Sequence, residues 1–256
     1  MQNLDNIVVR ARPNPQARRT LVCLSFCGGG SSGYLQWLDV VPPDVELVTI
    51  CYPGRDGRFL EDYAEDWDGL ADDATDAVAV AGALRPYVLF GHSMGGWMAF
   101  DVAGRLERRG GPLPEALVVS SANAPSRGLT SRDMFPAQQD SDEQLLDWMG
   151  GNGLMPGSVL DSPELCQMAV ELMRADIRVR DTFHYSGESG VSVPLQVLTG
   201  DRDDVIETTA AERWRALARS SYEHLELPGG HFYTPEIWAT LPDHLTALKA
   251  VTANGS

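Results

Sequence analysis

The sequence has almost no lysine and few cysteines. Of its 20 lysine and arginine residues only Lys249 is a lysine, and with 36 acidic residues the formal net charge is −16. Such a chain repels phosphate backbones and anionic lipids, which excludes nucleic acid and membrane surfaces from the expected partners. The four cysteines are Cys23, Cys27, Cys51 and Cys166. No two of them have metal-ligand spacing, and neither a metal site nor a disulfide framework is expected, which favours the reducing cytoplasm.

Long hydrophobic runs are also missing. No stretch approaches the roughly 18 consecutive apolar residues of a membrane-spanning helix. Residues 1–19 lack the apolar segment of a signal peptide, so none is expected. The 256 residues contain no repeat, low-complexity tract or long linker, and 43% are hydrophobic. We therefore predict one domain over residues 1–256 with a large core, and a monomeric protein.

Short apolar runs typical of strands alternate with helical patterns along much of the chain. Strands are predicted at 21–26, 46–51, 87–90, 116–120, 195–199 and 222–227. Helices are predicted at 60–83, 97–109, 210–218 and 235–250. This alternation predicts the α/β class, with a mostly parallel, doubly wound sheet covered by helices on both faces. In such sheets the binding and catalytic residues lie at the carboxyl ends of the strands.

The alternation breaks between about residues 125 and 190. Ser141 begins one helix there, with Gln144 completing a capping box, and Ser162-Pro163 begins a second. The segment is much longer than a crossover between two strands needs. It predicts a helical lid inserted over the edge of the sheet.

The stretch LFGHSMGGWMAF places one serine between a strand and a helix. Ser93 has Gly91 two positions before it and Gly95 two positions after it. A turn this sharp crowds the backbone, so residues without a Cβ are needed on either side. The G-x-S-x-G pattern in this context is typical of a nucleophile whose hydroxyl projects from a strained turn. It predicts Ser93 as a catalytic nucleophile.

A serine hydroxyl needs a base to take its proton, and His231 is the candidate. It follows a predicted strand and a Pro-Gly-Gly turn, so it belongs to a loop at a carboxyl end. His92 lies inside the serine turn, where its side chain points away from Ser93, and is interpreted as structural. The other histidines, interpreted as surface or packing residues, are His184, His224 and His244.

The acid that orients the base is expected after another strand. The sequence TGDRDDV offers Asp201, Asp203 and Asp204. Asp203 is favoured because its distance from the preceding glycine lets the turn bring its carboxylate towards the histidine loop. The order Ser93, Asp203, His231 along the chain is that of α/β-hydrolases, which predicts this fold.

Two backbone N–H groups are expected to stabilise an oxyanion. One is the amide of Met94, at the start of the helix after Ser93. The other belongs to the loop SFCGGGSSGYLQW, whose glycines allow close approach of a substrate oxygen. We assign it to Cys27, with Gly28 as the alternative.

Several motifs together resemble the type II thioesterases of polyketide synthases and nonribosomal peptide synthetases. They are FCGGGSSGYLQW, YPGRDGRFLED, LFGHSMGG, LMRADIRVRDTFHY, GDRDDV and LPGGHFY, in register from about residue 20 to 248. The family's nucleophile, acid and base fall on Ser93, Asp203 and His231. The family often has a small residue such as alanine where Cys27 stands, and a residue such as proline where Asp204 stands.

The resemblance implies an activity and a partner. Such enzymes hydrolyse aberrant or stalled acyl groups from the phosphopantetheine arm of an acyl or peptidyl carrier protein, and they need no metal or dissociable cofactor. The rival interpretations are a general serine esterase or lipase, an acyltransferase or cyclase on the same fold, and a hydrolase fold kept only for binding.

The lid is expected to supply the acyl pocket and part of the docking surface. Pocket candidates are Trp97, Trp148, Met149, Leu154, Met155, Met168, Leu172 and Met173. Because many are flexible methionines, a broad tolerance for short to medium acyl chains is expected. Carrier proteins are commonly acidic, as is this chain, so docking would need a local basic patch. The candidates for it are Arg55, Arg58, Arg174, Arg178 and Arg180.

Overall fold

A computed structural model of the protein describes residues 4–155, 157–187 and 190–249. Its sheet has seven strands in the order β1-β3-β2-β4-β5-β6-β7, and every neighbouring pair except β1–β3 is parallel. The strands are β1 Val8–Val9, β2 Arg19–Leu24, β3 Val45–Ile50, β4 Tyr87–His92, β5 Ala116–Ser120, β6 Leu195–Gly200 and β7 Tyr222–Leu227. The predicted mostly parallel sheet is confirmed.

Helices connect these strands. The α-helices are α1 Leu4–Ile7, α2 Trp67–Gly82, α3 Met94–Arg109, α4 Asp142–Gly151, α5 Gly157–Leu160, α6 Pro163–Asp181, α7 Ala210–Leu217 and α8 Pro235–Ala239. Short 3-10 helices are Ser31–Asp39, Asp56–Arg58, Pro125–Arg127, Leu241–His244 and Thr246–Leu248. Within the described ranges, no helix combines the length and the apolar character needed to cross a membrane.

The sheet is buried on both faces. Along β4, Tyr87 and Leu89 belong to one apolar cluster, whereas Val88 and Phe90 belong to the other. Successive side chains of a strand point to opposite faces, so this alternation places a core on each side of the sheet. It also explains why the central strands β4 and β5 are buried along their whole length.

In the described part of the chain, three α-helices, α4, α5 and α6, lie between β5 and β6, where the sequence predicts a lid. Ser141 and Gln144 form the expected capping box at the start of α4. Ser162 caps α6 by accepting the N–H of Leu165, with Pro163 at the first helical position. The inner side of α6 is partly polar, since Asp176 and Arg180 are both buried there.

Two predicted helices differ from those observed. The helix predicted at 60–83 begins only at Trp67, because the Asp66 side chain accepts the N–H of Gly69 and caps it there. The helix predicted at 235–250 ends at Ala239, and a separate 3-10 segment begins at Leu241, with Pro242, which has no N–H, in its first turn. Residue 250 lies outside the described residues. The antiparallel edge strand β1 was not predicted.

Candidate active site

Ser93 occupies a strained turn between β4 and α3. Its backbone has φ 54° and ψ −124°, which a residue with a side chain rarely adopts. A Cβ on Gly91 would lie 1.8 Å from the carbonyl oxygen of Gly95, and one on Gly95 would lie 2.4 Å from that of Leu24. Both glycines are therefore required by close backbone contacts. The turn presents the hydroxyl of Ser93 at the carboxyl end of the sheet.

Three side chains that are distant in sequence form a hydrogen-bonded chain at this edge. Nε2 of His231 lies 2.9 Å from Oγ of Ser93, and Nδ1 lies 3.0 Å from Oδ2 of Asp203. The other oxygen of Asp203 accepts the N–H of Val205 at 3.0 Å. His231 and Asp203 are buried. The arrangement thus has the geometry of a nucleophile, a base and an orienting acid.

The loops that carry His231 and Asp203 are joined by their backbones. A Cβ on Gly200 would lie 2.4 Å from the carbonyl oxygen of Gly230, so glycine is needed for the loops to approach. Asp201 accepts the N–H of Gly229 at 2.7 Å. Asp201 therefore stabilises the histidine loop, while Asp203 is the carboxylate that contacts the imidazole.

The electrostatic environment favours an ionised acid. Burial alone would raise the pKa of Asp203, but the hydrogen bond and charge of His231 and the N–H of Val205 hold that pKa below its ordinary value. Asp203 therefore accepts a hydrogen bond and Nδ1 of His231 carries the proton. Nε2 is then free to accept the proton of Ser93.

His92 lies below this site rather than in it. Its side chain is fully buried, its ring centroid is 5.2 Å from that of His231, and Nδ1 lies 3.0 Å from Oγ of Ser120. Burial, and then the proximity of His231, keep the pKa of His92 well below its ordinary value. His92 thus packs as a neutral side chain. His184 and His224 are exposed, and His244 is half-buried.

The candidate oxyanion donors differ in their hydrogen bonds. The N–H of Gly28 donates to Oδ2 of Asp176 at 2.8 Å, so it is already occupied. The N–H of Cys27 has no acceptor among residues 4–155, 157–187 and 190–249. Met94 is the first residue of α3, where N–H groups have no partner within the helix. The side chains of Cys27 and Met94 touch, with Sγ and Sδ 3.4 Å apart.

Two cavities border His231, and the smaller of them also borders Ser93. A small chamber of about 30 Å³, which we call the nucleophile chamber, lies between Ser93 and side chains that include Trp97, Phe135, Ile206 and Arg180. A larger cleft of about 670 Å³, the glycine-loop cleft, runs between the loop at Gly28–Gly33, the turn at 150–154 and the loop carrying His231. His231 lines both cavities.

The predicted pocket residues do not all reach this site. Trp97 lines the nucleophile chamber, and the ring centroid of Trp148 is 6.3 Å from that of His231. Met149 is buried above Gly28, and Leu172 is half-buried on α6. The prediction that Met168 lines the pocket is wrong. Its side chain is 42% exposed, because it lies on the outward face of α6.

Most of the arginines predicted to dock a partner are internal. Arg55 and Arg58 are buried in ion pairs, and Arg180 is buried against the carbonyl of Pro136 and the carboxylate of Asp181. The docking prediction is therefore wrong for these three, since their donors are engaged inside the protein. Arg174 binds the carboxylate of Asp142, and Arg178 is exposed.

The sheet has the α/β-hydrolase fold, and Ser93, His231 and Asp203 have the spacing that a serine hydrolase requires. In the part of the chain that the structure describes, no three His, Cys, Asp or Glu side chains are grouped as metal ligands would be. The sequence pattern of the thioesterase domain family matches residues 19–246. The chain therefore belongs to the thioesterase family, and the resemblance inferred from its motifs is confirmed.

Individual relatives agree with this assignment. Thioesterase PikA5 of Streptomyces venezuelae is 30% identical over 244 residues, which cover 94% of this chain and 85% of PikA5. The AMB antimetabolite synthetase AmbE of Pseudomonas aeruginosa is 33% identical over 84% of this chain, but the chain spans only 10% of AmbE. The type II thioesterase BorB of the borrelidin cluster has a similar structure, with a TM-score of 0.81, 31% identity and coverage of 97% of this chain and 99% of BorB.

Proposed function

We propose that the protein is an editing thioesterase. It would hydrolyse aberrant or stalled acyl groups from the phosphopantetheine arm of an acyl or peptidyl carrier protein in polyketide or nonribosomal peptide synthesis. The observation that carries this proposal is the hydrogen-bonded chain Ser93–His231–Asp203 in a member of the thioesterase family. The similarity to BorB and PikA5 supports the pathway class.

The first half of the proposed reaction acylates Ser93. His231 takes the hydroxyl proton at Nε2 while Oγ of Ser93 attacks the thioester carbonyl. Asp203 remains ionised and holds the imidazolium that forms. His231 then protonates the departing pantetheine thiolate, which leaves an ester on Ser93.

The amides of Cys27 and Met94 would bind the oxyanion formed in each half-reaction. The N–H of Cys27 has no other partner within the described ranges, whereas that of Gly28 is taken by Asp176. This difference supports Cys27 over Gly28 as the donor. Loss of one such donor typically costs about 3–4 kcal/mol of transition-state stabilisation. In the second half, His231 activates a water molecule that releases the free acid.

The two cavities fit the two parts of such a substrate. The glycine-loop cleft, at about 670 Å³, has room for an extended phosphopantetheine arm. It also reaches His231, which must protonate the sulfur of the departing thiolate. The nucleophile chamber, at about 30 Å³, is small and would take the acyl group. A cavity of that size holds about two water molecules, so short acyl groups are favoured unless the walls move.

Intact-mass spectrometry of loaded carrier proteins tests this function. Carrier proteins bearing acetyl, butyryl or octanoyl groups are incubated with the protein or with Ser93→Ala. We expect the acyl mass to disappear only with the wild-type chain, and fastest for the short groups. Loss of simple esters but not of carrier-bound groups would identify a general esterase. Transfer of the acyl group to an added alcohol or amine would identify an acyltransferase.

A further inference from the structure

The loop that carries Cys27 is a tight backbone turn. The N–H of Gly29 donates to the carbonyl of Phe26 at 2.9 Å, and Gly28 has φ 72°. A positive φ at the second central position is characteristic of a type II turn, and glycine adopts it without strain. Cys27 occupies the first central position. The direction of its N–H therefore depends on the conformation of this turn, which includes the peptide groups that follow Cys27.

Two charged side chains hold those peptide groups. Asp176 accepts the N–H of Gly28 at 2.8 Å, and Nη1 of Arg55 donates to the carbonyl of Gly29 at 2.7 Å. The same two side chains bind each other, since Nη1 and Nη2 of Arg55 donate to the two carboxylate oxygens of Asp176 at 2.8 and 2.5 Å. The pair thus binds the backbone of both residues that follow Cys27, namely Gly28 and Gly29.

The pair joins separate parts of the fold. Asp176 belongs to the lid helix α6, whereas Arg55 belongs to the loop after β3. Their side chains are 3% and 5% exposed. Helix α6 also touches the turn through Met173, because a Cβ on Gly28 would lie 2.9 Å from its terminal methyl carbon. The lid helix therefore contacts the turn directly.

Stability alone gives little reason for this pair. Removing two charges from water costs about as much as their attraction returns, and apolar residues of similar volume are often as stabilising. Burial alone would lower the pKa of Arg55, but Asp176 raises it above its ordinary value, so the guanidinium stays charged. What apolar residues cannot do is bind an N–H and a carbonyl of the loop.

We propose that Asp176 and Arg55 are positioning residues that fix the amide of Cys27 towards the oxyanion, so that the oxyanion hole is complete only while α6 is in place. The inference rests on the proposed function, since it assigns the amide of Cys27 to that site. Movement of α6 away from the sheet would release the N–H of Gly28. Opening of the lid would therefore also weaken the binding of the oxyanion by the amide of Cys27.

The test uses a double variant, Arg55→Met with Asp176→Leu, which removes the loop contacts without leaving a buried unpaired charge. Thermal unfolding establishes that it folds. We expect kcat for an acyl-pantetheine thioester and for a p-nitrophenyl ester to fall about 30- to 1,000-fold, with KM within about threefold. Amide hydrogen exchange in residues 26–33 is expected to accelerate at least about tenfold.

Two single variants sharpen the result. Asp176→Asn keeps an oxygen that accepts the N–H of Gly28, so it is expected to retain more kcat than the double variant. Arg174→Ala removes the ion pair that α6 makes with Asp142 and the hydrogen bonds to the carbonyls of Gln138 and Asp140, and it leaves the turn untouched. With the acyl-pantetheine thioester and the p-nitrophenyl ester, neither of which involves a docked carrier protein, kcat of this variant is expected to stay within about threefold of the wild type.

The proposal is overturned if the folded double variant keeps kcat within about threefold of the wild type, or if exchange in residues 26–33 does not change. A loss in Arg174→Ala as large as in the double variant would also overturn it, because general disturbance of the lid would then suffice. If the wild type hydrolyses the small ester but not carrier-bound thioesters, the proposed function fails, while ester turnover and exchange still decide the positioning role.

Discussion

Oδ2 of Asp203 lies 3.0 Å from Nδ1 of His231, although 28 residues separate them and they follow different strands, β6 and β7. The carboxylate fixes the imidazole with its proton on Nδ1. An amide in its place can donate its own N–H, which favours the wrong tautomer.

Asp203→Asn is therefore expected to lower kcat about 10³- to 10⁴-fold at pH 7 with little change in KM. Asp204→Asn is the matched control, since its side chain is exposed one position along the chain. Steady-state kinetics on an acyl-pantetheine thioester measures both. Equal rates for the two variants would remove Asp203 from the mechanism.

The lowered pKa of Asp203 also predicts how stability depends on pH. Its ordinary value is 3.8, and the folded value lies below it. The stabilisation that the Asp203 carboxylate gives the fold is fully present above the pKa it has in the unfolded state. This stabilisation is lost as the pH falls through the pKa that Asp203 has in the folded state. The difference in unfolding free energy between wild type and Asp203→Asn should shrink as the pH falls below 3.8. Urea titrations across this range measure it, and a difference that grows on acidification would contradict it.

Cys27 is expected to act through its backbone alone. Burial raises the pKa of its thiol to about 12, so the group stays protonated and unreactive at pH 8. Cys27→Ala is expected to keep kcat within about threefold, and iodoacetamide should leave the activity of the folded protein unchanged. Peptide mapping after alkylation identifies the labelled cysteine. Rapid labelling of Cys27 with loss of activity would show that the thiol participates.

The serine turn depends on the absence of a side chain at position 91. Gly91→Ala places a Cβ 1.8 Å from a backbone oxygen, so we expect a loss of at least about 3 kcal/mol of unfolding free energy. Gly150→Ala in α4 meets nothing within 4 Å and is expected to be neutral or stabilising by up to about 1 kcal/mol. Urea unfolding compares them. A Gly91→Ala protein as stable as the wild type would contradict the geometry.

The nucleophile chamber predicts which side chain limits acyl length. Ile206 lines it, so Ile206→Ala is expected to shift the preference towards longer acyl groups by about tenfold in relative kcat/KM. Met168→Ala on the exposed face of α6 should leave the profile unchanged. Hydrolysis of acetyl, butyryl and octanoyl thioesters gives the profile. The assignment of the chamber to the acyl group fails if only the Met168 variant changes it.

Features set by local backbone chemistry could be predicted from the sequence. The strands were found because their apolar runs are short and bounded by turn residues. The strained turn at Ser93 was found because Gly91 and Gly95 flank it at fixed spacing. The loop histidine and aspartate followed from the rule that parallel strands end at one edge. These inferences need no knowledge of distant contacts.

Features set by tertiary pairing could not be predicted in this way. The inner side of α6 contains Asp176 and Arg180, whose charges are satisfied by other segments. The apolar pattern of α6 therefore predicts Met168 on the inner side of the helix, whereas the structure places it on the exposed side. The sequence likewise predicts Arg55 in a docking patch, because its buried partner Asp176 lies 121 positions away along the chain. The choice between Cys27 and Gly28 also depended on Asp176.

The central claim is that the hydroxyl of Ser93 carries the acyl group between thioester and water. Rapid acid quench of the wild-type protein turning over an acyl-pantetheine thioester, followed by peptide mass mapping, tests it directly. We expect the acyl mass on the peptide that contains Ser93, and none on Ser93→Ala. Turnover by Ser93→Ala at the wild-type rate, or acylation of another residue, would contradict the account.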